Sequence, residues 1–111
     1  MMNDADILPV TAHAVARRLV DELGYRAAVA PRMAAHLTSL DPAVQAAFWR
    51  WWRTGSLEPP VEVAGYTVPR LMAEFRLAPV AAFSALDGLA RDPRTTLDTL
   101  RRDFDRRRPN R

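Results

Sequence analysis

Prolines and glycines in this sequence fall at the ends of stretches with helical periodicity. These helix boundaries constrain the fold more than any other feature of the sequence. Two helices are predicted to begin at Asp-Pro pairs, Asp41-Pro42 and Asp92-Pro93, because Asp is a preferred N-cap and Pro is well tolerated in the first helical turn. Gly24 and Gly55 follow predicted helix ends, where a left-handed residue commonly stops a helix. The sequence therefore predicts short helices with tight breaks.

Apolar residues between these breaks recur three and four residues apart, the spacing of one face of an α-helix. In the first helix the predicted buried stripe is Val15, Leu19 and Leu23. In the second, Pro31 either kinks the helix or, as we expect, marks its first residue. The predicted helices cover residues 12–23, 25–37 or 31–37, 42–54, a segment from Thr67 to a break at 77–79, 80–91, and 93–108.

These elements predict an all-α fold, a compact orthogonal bundle of five or six short helices. The chain has 111 residues, which fits a single helical domain over 1–111. We expect a loose N-terminus at residues 1–10 and a basic tail at residues 106–111. Residues 55–66 contain Pro59 and Pro60 and are predicted to form an extended connector; a short strand at 61–63 has no obvious partner.

Composition favours a cytoplasmic location. The chain has no Cys, and hence no disulfide or thiolate metal site, which suits a reducing compartment. Its first residues are acidic and no apolar run approaches the length of a membrane span, so we expect neither a leader nor a membrane anchor. All basic residues are Arg, which we attribute to a GC-rich bacterial genome rather than to a specific ligand.

The positive charge is confined to the C-terminal end. Residues 100–111 carry six Arg and two Asp, a net charge of +4, whereas the rest of the chain sums to −1. The tail is either a solvated helix end that complements the helix dipole, which we favour, or a nonspecific handle for nucleic acid or an acidic partner.

All three Trp residues lie in the third helix. Val44, Phe48 and Trp51 are predicted to share its buried face with Trp52 at the edge, whereas Trp49 projects away from that face. Trp49 is either covered by its own chain, with the connector at residues 57–63 folded over its ring, or an anchor for a partner, since interfaces are enriched in Trp and Arg. The predicted partner-binding residues here are Gln45, Trp49, Trp52 and Arg53.

Residues 67–91 resemble a DNA-binding helix-turn-helix in their hydrophobic spacing alone. Such a resemblance implies that the second helix enters the major groove, which requires polar or basic side chains on its open face. The open face predicted here carries small residues and Asp87 instead, so it fits a second helix or a partner protein better. The small-residue candidates are Ala81, Ser84 and Gly88. The nucleic-acid-binding alternative uses Arg70, Arg76, Arg101, Arg102, Arg106, Arg107 and Arg108.

We find no pattern that predicts catalysis, a metal or a cofactor. His13 and His36 lie in different helices, and neither has a second His or a carboxylate three or four residues further on. Phosphate-binding loops and dinucleotide fingerprints are absent from the sequence. We therefore expect a non-enzymatic protein-interaction or adaptor module, self-associating or bound to another protein, with a nucleic-acid-binding regulator as the alternative.

Overall fold

The computed structural model describes residues 11–107, and over this range the chain forms six α-helices and one isolated β-bridge. The predicted all-α class is confirmed. The helices, numbered here in chain order, are α1 (Ala12–Asp21), α2 (Ala30–Leu37), α3 (Pro42–Thr54), α4 (Val68–Phe75), α5 (Pro79–Arg91) and α6 (Pro93–Arg107). The loose start predicted for residues 1–10, and the end of the last helix at Pro109, lie outside the described residues.

The chain divides into two units, residues 1–39 and residues 40–111. In the first unit α1 packs against α2. Thr11 caps α1 as predicted, because its Oγ1 accepts a hydrogen bond from the backbone N–H of Ala14 at 3.2 Å. Val15 and Leu19 are buried. The start of α1 and the first two residues of its buried stripe are therefore as the sequence predicts.

Two details of the first unit differ from the predictions. The helix α1 ends at Asp21 and the chain leaves it through Gly24, which has a φ of +77°, so Leu23 lies beyond the helix and is 40% exposed. The helix α2 begins at Ala30 after a turn at residues 27–29, so Pro31 marks the start of the helix as expected, but as its second residue rather than its first. Both differences arise because the segment between the helices forms turns that local periodicity does not encode.

In the second unit α3 packs on α5 through aromatic side chains. The bounds of α3 match the prediction, with Asp41 before its first residue and Gly55 in the left-handed conformation after its last. The Phe48 ring meets the Phe83 ring edge-on, with centroids 5.4 Å apart, and both residues are at most 1% exposed. This pair lies in the core of the second unit.

The connector between α3 and α4 contains a tight turn. The backbone N–H of Val63 donates to the carbonyl of Tyr66 at 2.8 Å, and the N–H of Tyr66 donates back at 2.9 Å. Ala64 and Gly65 between them have φ values of 52° and 83°, as a two-residue hairpin turn of type I′ requires. The sequence showed no partner for a strand at residues 61–63. In the structure Val63 pairs with Tyr66, directly after the turn, and this single bridge does not extend into a strand.

The helices α4, α5 and α6 follow one another with short breaks. Thr67 caps α4 by accepting from the Arg70 N–H at 3.2 Å, and Asp92 accepts from the Thr95 N–H at 3.2 Å at the start of α6. The Phe75 and Phe104 rings meet edge-on at 6.2 Å. Hence α6, which has no fully buried residue between Pro93 and Arg107, packs through half-buried side chains.

Candidate interaction surfaces

The buried face of α3 consists of Val44, Ala47, Phe48 and Trp52. Trp52 is 4% exposed, whereas Trp51 is half-buried. The sequence prediction placed these two residues the other way round, with Trp51 on the stripe and Trp52 at its edge. The helix is rotated so that its buried face centres near Phe48 and Trp52, which lie four residues apart and about 40° from each other. Trp52 therefore belongs to the core and not to a partner-binding surface.

The opposite side of α3 forms a strip that we call the outer strip, made of Pro42, Ala46, Trp49 and Arg53. Pro42, Ala46 and Arg53 are exposed, and Trp49 is half-buried with its ring centroid 5.3 Å from that of Phe48. The spacing of four, three and four residues keeps the strip on one side of the helix. The helix carries two Arg and no acid. Trp49 thus lies on the side of α3 away from the centre of its buried face, and part of its surface meets solvent.

The connector meets α3 at Ala47 and Arg50. The Arg50 guanidinium donates to the Pro59 carbonyl at 3.2 Å, and Leu57, Pro60 and Val61 line a cavity of about 10 Å³ with Ala47 and Arg50. Ala47 and Arg50 lie about 100° or more around α3 from Trp49. The expectation that the prolines cover the Trp49 ring stays a prediction, because these contacts are with Ala47 and Arg50. The cavity has room for about one water, so it is not a ligand site.

Gln45, another predicted contact residue, has an internal role. Its Oε1 accepts a hydrogen bond from the backbone N–H of Leu40 at 2.8 Å. This N–H lies just before α3, where the helix itself offers no acceptor. Gln45 therefore helps to fix the start of α3, and of the four residues predicted on this helix Trp49 and Arg53 remain on the outer strip.

The small-residue face of α5 packs inside the second unit at Gly88. A Cβ atom placed on Gly88 would lie 2.7 Å from Thr96 Oγ1 on α6, so the two helices approach closely there. Ala81 and Ser84 are half-buried. Of the two uses that the sequence allowed for this face, packing against another helix is the one found at Gly88.

Asp87, expected on the open face of α5, is buried at 3% exposure. Its carboxylate accepts from the backbone N–H of Asp41 at 2.6 Å and from Arg91 Nε at 3.0 and 3.1 Å. The expectation of an exposed acid is therefore wrong, because the carboxylate is the acceptor for a backbone N–H at the start of α3. The group is structural.

The helix-turn-helix alternative finds little support in the exposure of α5. No residue of α5 from 79 to 89 is exposed, so the helix has no free polar face for a DNA groove. Arg70 donates to the Gly65 carbonyl at 2.7 Å and pairs with Glu74, and Arg107 donates to the Phe75 carbonyl at 3.0 Å.

The remaining basic candidates are distributed as follows. Arg106 pairs with Asp103 at 3.3 Å. Arg76, Arg101 and Arg102 are exposed, and Arg108 lies outside the described residues. Three of the six described arginines predicted to bind nucleic acid, Arg70, Arg106 and Arg107, are therefore engaged within the chain.

An open groove between α1 and α2 was not predicted from the sequence. We call it the α1–α2 groove; it is lined by His13, Ala16, Arg17, Val20, Asp21, Ala27, Ala30 and Pro31. Leu23 and Val29, exposed by 40% and 44%, lie in the segment that joins the two helices. The signal that could have revealed the groove is the spacing of Ala16 and Val20, which form a second apolar row on α1 beside the buried one.

Comparison with protein-family models, with curated proteins and with solved structures finds no match to this chain. Among residues 11–107, no group of three or more His, Asp and Glu side chains is placed to hold a metal ion. None of the described helices is long and apolar enough to cross a membrane. Within residues 11–107, the outer strip and the α1–α2 groove each present apolar side chains that are partly exposed beside charged ones.

Proposed function

We propose that this chain is a non-enzymatic protein-interaction module of the adaptor type, and that Trp49 anchors its partner. The observation that carries the proposal is the position of Trp49 on the outer strip. Phe48 and Trp52 fill the core beside it, whereas the Trp49 ring keeps part of its surface uncovered. A partly exposed indole beside exposed Arg53 has the composition of interface anchors, in which Trp and Arg are enriched.

The chemistry of α3 defines the partner that it fits. Because the outer strip carries exposed Arg53 and no acid, a partner surface with an apolar recess for the indole and carboxylates at its margin complements the strip. Ala46, one turn before Trp49, has a small side chain that lets a partner approach the helix closely. The proposed partner is therefore a protein with an acidic rim around an apolar recess.

The non-enzymatic part of the proposal rests on the state of the buried ionisable groups. Catalytic acids and bases are commonly buried groups that face a cleft. Among residues 11–107 the buried charged residue is Asp87, and its carboxylate is engaged by Asp41 and Arg91 within the protein. We also propose a cytoplasmic location, because a chain without Cys suits a reducing compartment.

The test is site-specific photocrosslinking on the outer strip in the native host. A photoreactive phenylalanine at Ala46 is expected to crosslink one partner, and the crosslink is expected to vanish when Trp49→Ala is added. The same probe at Thr99, an exposed position on α6, is the matched control and should not capture that partner. No specific crosslink from residue 46, or one that persists without the indole, would contradict the proposal.

Melting temperatures separate loss of binding from loss of folding. Trp49→Ala, which removes a half-buried ring, is expected to leave the protein folded and to destabilise it less than Trp52→Ala, which removes a side chain only 4% exposed and is expected to cost about 3–5 kcal/mol. If Trp49→Ala unfolds the protein, the indole is structural and the proposal fails. A titration with mixed-sequence duplex DNA at low salt tests the nucleic-acid alternative, which requires binding that weakens steeply as salt is added.

A further inference from the structure

The face of α1 that lines the α1–α2 groove has the pattern of a helix seam. His13, Ala16, Arg17, Val20 and Asp21 line the groove at spacings of three and four residues, so they share one side of α1, separate from the buried Val15 and Leu19. Ala16 and Val20 are half-buried on its floor, and Arg17 and Asp21 are exposed on its rim. This arrangement is that of a contact surface with apolar residues inside and charged residues outside.

Small residues make the groove accessible to a helix. Ala16, Ala27 and Ala30 line it together with Pro31, and none of these side chains is long enough to hold another backbone away. Helices pack with their axes about 8–10 Å apart, and the shorter distances require small side chains at the contact. Leu23 and Val29, exposed in the segment that joins α1 and α2, add apolar surface to the same unit.

The charges on the rim indicate which helix fits. Arg17 and Asp21 are 77% and 63% exposed, and their closest charged atoms are 3.9 Å apart, a loose pair. In an antiparallel pairing of two α1 helices about a two-fold axis level with Leu19, Arg17 faces Asp21 of the partner subunit, and Asp21 faces Arg17 of the partner subunit. The rim is therefore complementary to its own reversed copy, as a two-fold symmetric contact requires.

We propose that the α1–α2 groove is a self-association face whose occupant is α1 of a second copy of this chain, packed antiparallel. The proposal goes beyond the partner-binding function argued above, because it uses residues 13–31 and not the outer strip. In an antiparallel pair, the positive end of each helix dipole also lies beside the negative end of the other, which is favourable. A dimer formed through the α1–α2 groove would carry two outer strips, and hence two copies of the Trp49 anchor.

The test is sedimentation equilibrium of the full chain over a wide concentration range. The wild-type chain is expected to form a dimer. Arg17→Asp alone sets Asp against Asp21 of the partner subunit, and Asp21→Arg alone sets Arg against Arg17 of the partner subunit. In each variant both symmetry-related contacts change from attraction to repulsion. The dissociation constant of the dimer is therefore expected to rise at least about 10-fold.

Mixing the two variants gives the decisive result. In a heterodimer of Arg17→Asp with Asp21→Arg, both contacts again join opposite charges, so the dimer is expected to return. The like-charge pair within each α1 persists in the mixture, so a mere repair of helix stability cannot explain the return. The matched control is the pair Arg94→Asp and Asp98→Arg, exposed on α6 with the same spacing, which should leave association unchanged alone and mixed.

Three results would overturn the proposal: a wild-type chain that stays monomeric at every concentration, charge reversals that leave a dimer unaffected, or a mixture that stays monomeric. Val20→Glu, which puts a carboxylate on the apolar floor of the groove, is expected to abolish the dimer and gives an independent reading. Trp49→Ala is expected to leave self-association unchanged. The self-association proposal and the partner-binding proposal can therefore fail independently of each other.

Discussion

The carboxylate of Asp87 accepts a hydrogen bond from the backbone N–H of Asp41, 46 residues earlier in the chain, at 2.6 Å. Asp41 is the residue before the first turn of α3, and its own side chain makes no capping hydrogen bond. A carboxylate at this end of a helix interacts favourably with the positive end of the helix dipole. Thus α3 is capped by a residue of α5, and the contact joins the two helices that carry the aromatic core.

Asp87→Ala is expected to destabilise the fold because it leaves the Asp41 N–H without its acceptor. Losing the partner of a buried donor costs about 1–3 kcal/mol, and Arg91, whose side chain is 59% exposed, can be hydrated once released. Asp87→Asn keeps an oxygen acceptor and should cost less. The free energy of unfolding in urea measures both. Asp98→Ala, an exposed acid on α6, should change it by less than about 0.5 kcal/mol; an equal effect at both positions would contradict the capping role.

Gly88→Ala is expected to destabilise the packing of α5 on α6. The new methyl group would lie 2.7 Å from Thr96 Oγ1 and 3.1 Å from Thr96 Cγ2, and overpacking of this kind costs about 1–3 kcal/mol. Ala is itself a better helix former than Gly by about 1 kcal/mol, so the net loss is smaller than the clash. Chemical denaturation of the single variant measures that net loss.

A second substitution at Thr96 tests the cause of the loss. In Gly88→Ala with Thr96→Ala the two clashing atoms are gone, and the double variant should be more stable than the sum of the single changes predicts. Such a coupling energy is read from a double-mutant cycle. Additive effects would mean that the close approach at Gly88 does not limit the packing of the two helices.

The sequence predicts best those features of the fold that depend on neighbouring residues. The bounds of α3 follow from Asp41-Pro42 and Gly55, and the cap of α4 follows from Thr67, because each signal acts within one helical turn. The all-α class follows from the helical spacing of the apolar residues. Leu23 is the exception, since the periodic pattern continues past the residue at which the backbone leaves α1.

Features set by tertiary packing could not be predicted from the sequence. Whether Trp51 or Trp52 is buried depends on how α3 rotates against Phe83, and a pattern within α3 does not contain that information. The burial of Asp87 depends on a backbone N–H 46 residues away in the chain. The sequence around Asp87 does not contain that partner, so the residue was predicted to be exposed. Of the candidate surfaces, the sequence singled out Trp49. The α1–α2 groove could not be predicted, because it forms only where the turn at residues 27–29 brings α2 beside α1.

Arg76→Gly is expected to stabilise the protein. Arg76 ends α4 with a φ of 55°, a left-handed conformation that costs an L-residue about 1–2 kcal/mol and costs Gly almost nothing. Part of this gain, about 0.5–1 kcal/mol, is lost because Gly has more freedom in the unfolded chain. We expect a small rise in melting temperature. Arg102→Gly, at an exposed position inside α6, should lower it instead, and a fall for both variants would contradict the conformational argument.

Tyr25 gives the protein a stability that is lost at alkaline pH. Burial raises the pKa of the Tyr25 phenol above its ordinary value of 10.0, so the unfolded chain loses this proton at lower pH than the folded one. The contribution is complete below pH 10.0 and disappears as the pH rises through the folded pKa. In a Tyr66→Phe background, where Tyr25 is the remaining tyrosine, the tyrosinate absorbance should titrate above the ordinary pKa. Tyr25→Phe should remove this part of the alkaline loss of unfolding free energy, and a titration at the ordinary pKa would show that the phenol is hydrated.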